Sequence, residues 1–345
     1  MCIFICLNGP IVVSMSKICT LVVLVLFSLS AKGQELYNLT QPASTLPKGA
    51  LGIRLFNESY DESGLIRKIS VLKVMYGVTP KFSIILSGVA SDYHSLYLPT
   101  DFIQHNHGGT GPPASANTPA IVPYPYIFSG ADLYGQYRFY SSDGQNQHFR
   151  MAAYGELSYA RIASHLAEPE LLTHNSGAGA GIIATYLKKH FAGTVTIGGV
   201  LPFEYKGNSY DIYGGAYPVD FKYGNALTYD LALGYLLYPN TYISYKQTNV
   251  NLYLELLGRT YGAADVTEHD GVVTYKIPNT ISILKGGSYA EISPGIQFII
   301  RSSVRVDVSV GLPMVSSSYL HDYPLYYIGL QRYFFFKKRT SPKND

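Results

Sequence analysis

Eleven charged residues recur at polar positions of segments in which apolar and polar residues alternate. Five are basic and six are acidic: Arg54, Lys73, Asp132, Arg138, Arg150, Glu156, Asp230, Glu255, Glu291, Arg305 and Asp307. Facing a narrow aqueous space, such side chains could select solutes by charge, as charged rings do in pores. They could equally pair across neighbouring strands and brace a wall, for example Asp132 or Arg138 with Arg150 or Glu156. Both interpretations remain open at this stage.

The sequence offers little for catalysis. It contains no GxSxG, HExxH or P-loop pattern, and the glycine-rich stretch 177–181 lacks the following lysine and precedes a strand pattern rather than a helix. A lipid hydrolase embedded in a barrel would need a serine and a histidine paired on the lipid-facing surface. The two histidines near strand ends, His148 and His190, have no obvious serine partner. We therefore expect no catalytic residues and no cofactor.

Metal binding has one weak candidate pair, His105 and His107, in the Gly- and Pro-rich stretch 93–126. Neutral imidazoles bind Zn²⁺ and Cu²⁺. A long loop nevertheless makes a poorly preformed site, and exposed histidines are common. We predict no metal site, and a solvated loop at this position.

The composition restricts the class of protein that must position these residues. The chain has 345 residues, of which 47% are apolar and 14% charged, with a net charge of +3. This apolar content excludes a disordered chain, and the small net charge argues against nucleic acid as a partner. Most of the aromatic content comes from 32 Tyr and 15 Phe.

The N-terminus has the pattern of a secretory signal peptide. Lys17 precedes an apolar run over 18–29, and small residues at 31 and 33 flank Lys32. The run of about 12 residues is too short for the ~20 that a spanning helix needs. We predict a cleaved signal peptide over 1–33, followed by a periplasmic N-terminal segment over 34–49. All three cysteines lie within 1–33, so no disulfide is expected beyond it.

Twelve alternating segments follow, separated by Gly, Pro, Asn and Asp. In 304–312 every even position is aliphatic, while Arg305, Asp307 and Ser309 face the other way. The segments are 50–58, 66–77, 82–92, 127–140, 148–161, 178–188, 191–202, 225–237, 248–259, 288–300, 303–313 and 325–336. Short turns alternate with long irregular links, which predicts a closed antiparallel transmembrane β-barrel over 50–336 with short periplasmic turns and long extracellular loops. A polar periplasmic tail, 337–345, follows.

A soluble β-sandwich also buries every second residue, so alternation alone does not exclude it. Segments of ten or more residues are longer than soluble strands and match the ~9–11 residues of a membrane-crossing strand. Aromatic residues near segment ends, such as Tyr238, Tyr242, Tyr245 and the run 333–336, suit headgroup level. These features favour the barrel.

Several short stretches resemble the outer-membrane transporter family named for the MetA pathway of phenol degradation. They are Leu46–Gly49, Met75–Ser83, Asn251–Gly258 and Ser293–Gln297. The resemblance implies an outer-membrane barrel that passes small organic molecules and gives no catalytic residues to transfer. The final strand also resembles the aromatic-ended signal read by the barrel-assembly machinery, apart from its polar tail.

Together these observations predict a barrel in the outer membrane of a Gram-negative bacterium. Its expected partners are outer-membrane lipid, the barrel-assembly machinery and a small organic solute. The leading hypothesis is a channel or facilitator for such solutes. The alternative is a structural or adhesive barrel with a closed lumen that binds through its loops, and a barrel-embedded lipid hydrolase is a remote third.

Overall fold

The computed structural model of the chain describes residues 37–62, 65–92, 98–99, 126–144, 147–161, 167–172, 174–210, 216–241, 247–270, 273–280, 284–316 and 323–336. The predicted signal peptide, the tail 337–345, and the histidines at 105 and 107 lie outside these residues. Within the described ranges, no helix is long and apolar enough to cross a membrane.

The described secondary structure consists of seventeen strands. They are β1 (Ala50–Glu62), β2 (Leu65–Thr79), β3 (Phe82–Ser91), β4 (Leu98–Pro99), β5 (Ile127–Asp143), β6 (Gln147–Ala160), β7 (Gly177–Lys188), β8 (Phe191–Pro202), β9 (Tyr205–Tyr210), β10 (Ala216–Lys222), β11 (Ala226–Tyr238), β12 (Asn249–Tyr261), β13 (Asp265–Asp270), β14 (Val273–Ile277), β15 (Gly287–Ile300), β16 (Val304–Ser316) and β17 (Leu325–Phe335).

Twelve strands form a closed antiparallel barrel in the order β1, β17, β16, β15, β12, β11, β8, β7, β6, β5, β3 and β2, and β2 pairs with β1 again. These are the twelve segments predicted from alternation, each within a few residues of its expected bounds. Closure pairs both edges of every one of these strands, as the hydrocarbon core requires. The predicted fold is therefore confirmed.

Alternation places apolar side chains outward along every barrel strand. On β16, Val308 and Leu312 are exposed, whereas Arg305, Asp307 and Ser309 are buried.

Exposed aromatic residues form two girdles at the barrel ends. The extracellular girdle comprises Tyr126, Phe128, Tyr159, Phe203 and Tyr326, and the periplasmic girdle comprises Tyr76, Tyr137, Phe139, Tyr140, Phe191, Tyr235, Tyr238 and Phe336.

One aromatic residue expected at headgroup level faces inward instead. Tyr333 is buried and packs with Met75 and Ile85 inside the barrel. Four consecutive aromatic residues cannot all face lipid, because successive side chains of a strand point to opposite faces. Only alternate members of the run 333–336 therefore belong to the girdle.

Tight turns join strands at the periplasmic end. Between β15 and β16, the amide of Ser303 donates to the carbonyl of Ile300, and both central residues, Arg301 and Ser302, have positive φ values of 51° and 50°. Two central residues of this conformation make a type I′ turn, whose twist matches that of paired strands.

The links expected to be irregular contain a second sheet on the extracellular side. The order of this sheet is β14, β13, β10, β9 and β4. Its strands have two to seven residues and pair between different links of the chain. Segments this short carry too little alternation to be recognised from the sequence, so the expectation of irregular loops was wrong here.

Candidate functional site

Residues 37–46, which precede β1, lie inside the barrel. We expected residues 34–49 in the periplasm, but Tyr37, Asn38, Thr40 and Ala43 are almost completely buried. They contact side chains that alternation directs inward from the strands. Residues 37–46 are called the luminal segment below.

Glu255 on β12 is the main anchor of the luminal segment. Its carboxylate accepts hydrogen bonds from three consecutive backbone amides, at N–O distances of 3.2 Å from Asn38, 3.0 Å from Leu39 and 2.6 Å from Thr40. Glu255 is fully buried. Because buried amides need acceptors, this carboxylate fixes the path of the chain across the lumen.

Contacts of the luminal segment extend around the barrel wall. The amide of Ala43 donates to Thr185 Oγ1 on β7 at 2.8 Å, and Gln136 Nε2 on β5 donates to the carbonyl of Pro42 at 2.8 Å. On the far side, Arg305 of β16 donates to the Tyr37 carbonyl. A segment bound to β16, β12, β7 and β5 must cross the lumen, because these strands lie on opposite sides of the circle.

A buried ion cluster supports this attachment. Asp307 Oδ1 accepts from Arg305 Nε at 2.9 Å and from Gln297 Nε2 at 2.9 Å, and Arg54 lies 3.7 Å from the same carboxylate. Arg54 also donates to the Asn38 carbonyl at 2.8 Å. The cluster therefore links the wall of the barrel to the luminal segment.

The two rim arginines make other contacts than we expected. Arg150 forms a salt bridge with Asp143 at 3.0 Å and donates to Ser44 Oγ at 3.0 Å. Arg138 donates to the Pro80 carbonyl at 2.9 Å. Both lie at the periplasmic end, beyond reach of the carboxylates deeper in the barrel, so the pairs with Asp132 or Glu156 do not form.

A cavity of about 300 Å³ lies next to the luminal segment, on its extracellular side. Five of the predicted residues line it: Lys73, Asp132, Glu156, Asp230 and Glu291. Asp132 and Lys73 occupy one row of inward positions, since β2, β3 and β5 pair Lys73 with Ser87 and Ser87 with Asp132. The remaining predicted residues hold the luminal segment or lie at the rim.

Two stacked tyrosines form part of the cavity wall. The rings of Tyr134 and Tyr154 are 5.2 Å apart with an interplanar angle of 18°. Tyr154 lies flat against β7 and β8 because Gly181 and Gly198 have no side chain there, and a Cβ at Gly198 would stand 2.1 Å from the tyrosine Oη. Gly179 likewise has no side chain, which leaves room for Glu156 to lie over it.

The extracellular end of the cavity is covered by a loop and an apolar cluster. The loop between β6 and β7 brings Glu170, Leu171 and Leu172 to the cavity. Leu171 packs in a cluster with Phe221 of β10 and Val266 of β13. The second sheet therefore packs over the mouth of the barrel through buried apolar side chains.

Sequence reasoning missed Arg259, Glu58 and the tyrosines of the cavity. Alternation could have found the first two, because Arg259 is four residues after Glu255 and Glu58 is four residues after Arg54, which places each on the same face. It could not reveal that Arg259 donates to the Pro169 carbonyl in an inserted loop, since that contact joins residues 90 positions apart.

Within the described residues, no group of three or more His, Cys, Asp or Glu side chains has a geometry suited to a metal ion. The weak metal candidates, His105 and His107, lie outside those residues and remain a sequence-based prediction.

Comparisons with known proteins agree with the fold. No family model and no curated protein matches the chain, so the resemblance to the MetA-pathway family stays a prediction. Among solved structures, an outer membrane channel from Pseudomonas putida F1 aligns with a TM-score of 0.51 at 10% identity, covering 87% of this chain and 100% of that chain. The P. putida toluene transporter TodX aligns at 9% identity over 84% of this chain and 89% of that chain, with a TM-score of 0.28 that supports no further argument. The chain therefore has the fold of an outer-membrane β-barrel.

Proposed function

We propose that the protein is an outer-membrane channel or facilitator for small organic solutes. The cavity within the barrel lumen carries this proposal, because it combines apolar, aromatic and charged lining in a space of about 300 Å³. Binding sites for small molecules have this mixture and begin near this size. The Pseudomonas putida protein with the similar fold is an outer membrane channel, which is consistent with this function.

In this proposal, passage past the luminal segment is the step that limits solute transport. The segment crosses the lumen between the cavity and the periplasm, so a solute leaves the cavity only where the segment leaves space or moves aside. Over its described residues, 37–46, the segment is attached by hydrogen bonds and one ion cluster, without a disulfide or a strand pairing. Such attachments can be exchanged individually, which suits a passage that admits small solutes and excludes large ones.

The test is solute efflux from proteoliposomes that contain the purified full chain. Labelled hydrophilic solutes of graded size, from about 100 to 1,000 Da, are trapped inside, and their loss is followed over time. We expect fast loss of the smallest solutes and retention of the largest. Retention of every size, with correctly folded barrels shown by their heat-dependent migration in gels, would overturn the channel proposal.

A second candidate function is a structural or adhesive barrel that works through its extracellular surface. The luminal segment across the barrel and the apolar cluster under the second sheet favour it. In this case no solute leaves the proteoliposomes, and binding to a surface ligand is lost when the loop 93–126 is deleted. Efflux measurements therefore separate the two functions directly.

A further inference from the structure

We infer that the central cavity binds small organic cations, in which an ammonium group is attached to an apolar or aromatic body. This inference rests on the proposed function, since the cavity is the middle of the proposed solute route. It specifies the chemical class of the solute.

The charge of the cavity lining is strongly one-sided. Among the described residues that line it, six carry carboxyl groups and two are basic. The acids are Glu58, Asp132, Glu156, Glu170, Asp230 and Glu291, and the bases are Lys73 and Arg259. Walls of low dielectric constant strengthen the field of such a set, so the cavity attracts a cation and repels an anion.

One carboxylate has an oxygen ready for a donor. Asp132 is 7% exposed and lines the cavity, and its Oδ1 atom has no hydrogen-bond partner among the described residues. Leaving a buried acceptor unsatisfied is unfavourable. An ammonium group brings up to three N–H donors and a compensating charge, which a neutral or anionic solute lacks.

The two bases of the cavity do not balance the acids. Arg259 acts electrostatically on Asp230 and Glu156, while its guanidinium donates to the Pro169 carbonyl and lies over the Tyr289 ring at 5.8 Å. Lys73 acts electrostatically on both Asp132 and Glu156, so its single charge is shared between them. With six carboxyl groups against these two bases, the lining is richer in acidic than in basic groups.

Aromatic and apolar groups next to the acids suit the body of such a cation. The stacked rings of Tyr134 and Tyr154 line the cavity beside Asp132 and Glu156, and Ile85 contributes an aliphatic surface. Ring faces attract cations and accept flat apolar groups. The volume of about 300 Å³ admits one small molecule.

The test compares three probes of similar shape and different charge: benzylammonium, benzyl alcohol and benzoate. Each is titrated calorimetrically into the purified full chain in detergent micelles, with empty micelles as the blank. We expect benzylammonium to bind at least about tenfold more tightly than benzyl alcohol, with benzoate the weakest. Equal binding of all three probes, or no binding of benzylammonium, would overturn the inference.

Two isosteric variants locate the effect. Asp132→Asn and Asp230→Asn should each reduce the preference for benzylammonium to about threefold or less, because each removes one cavity carboxylate. Glu204→Gln is the matched control, since Glu204 is exposed beside Lys206 in the extracellular part and is absent from the cavity lining. It should keep the wild-type preference. A preference that survives both cavity variants would also refute the assignment.

The two proposals fail in different ways. If the protein releases solutes from proteoliposomes but binds the three probes equally, the channel proposal stands and the cation specificity is refuted. If the protein releases no solute but binds benzylammonium preferentially, the cation site stands and the channel proposal is refuted.

Discussion

Removing the carboxylate of Glu255 should release the luminal segment into a more open arrangement. Three backbone amides donate hydrogen bonds to this carboxylate. Two of them belong to the buried residues Asn38 and Thr40, and the third belongs to the half-buried Leu39. A buried donor that loses its partner costs about 1–3 kcal/mol, so Glu255→Ala should weaken the attachment by about 2–6 kcal/mol. Glu255→Gln replaces one acceptor oxygen by a donor and should weaken it by about 1–3 kcal/mol.

Labelling of a single cysteine measures this change. The native cysteines all lie within 1–33, and Ala43 is fully buried in the wall contact, so Ala43→Cys supplies a protected thiol downstream of that region. If labelling by a membrane-impermeant maleimide requires release of the segment, its rate scales with the released fraction. At tenfold per 1.4 kcal/mol, Glu255→Gln should accelerate labelling about 5- to 150-fold, and Glu255→Ala about 30-fold or more.

Two controls frame the result. A cysteine at the exposed Lys48 gives the rate of an accessible thiol, and Glu204→Gln in the Ala43→Cys background should leave the slow rate unchanged. A Glu255→Ala variant that folds normally but labels at the wild-type rate would refute the assignment of Glu255 as the anchor.

Three further changes test other parts of the structure. Gly198→Ala places a methyl group against Tyr154 and should push the ring into the cavity, lowering planar-bilayer conductance, whereas Gly88→Ala meets no atom within 4 Å and should conduct as the wild type does. Asp307→Asn breaks the buried ion cluster and should destabilise the barrel by about 3–5 kcal/mol, seen as a lower temperature of heat-dependent gel migration. Phe221→Ala removes a fully buried ring and should cost about 3–5 kcal/mol in the second sheet, seen as faster limited proteolysis there with an intact barrel; unchanged proteolysis would contradict the packing described.

The barrel was predictable because its signal is local and repeated. In β16 alone, Val308 and Leu312 point to lipid while Arg305 and Asp307 point inward, and each of the twelve segments repeats this pattern. Closure follows from the hydrocarbon environment, which leaves no room for an unpaired edge. Local alternation plus one solvent constraint was therefore enough for the architecture.

The luminal segment and the second sheet could not be predicted from alternation. The contact of Glu255 with Asn38 joins residues 217 positions apart, and neither residue type indicates the other. The second sheet depends on pairing between links, such as Val219 with Glu268, whose strands are too short for a periodic signal. Tertiary contacts between irregular segments set these features, and alternation carries no information about them.

The charged residues that alternation assigned to one face have different roles in the structure. Alternation placed Asp132, Glu255 and Arg150 on one face, and the structure separates them into a cavity, an anchor and a rim. The separation follows from depth along the barrel axis, which depends on strand stagger as well as on position within a strand, and alternation reports neither.

Planar-bilayer recording can decide whether small solutes pass through a lumen that is crossed by residues 37–46. Conductance of the full chain is compared with that of a variant lacking residues 37–46, at equal numbers of inserted barrels. We predict a measurable conductance for the full chain and a several-fold larger one for the deletion variant, because the segment occupies part of the conducting cross-section. Absence of conductance in both proteins, despite folded and inserted barrels, would contradict passage through the lumen.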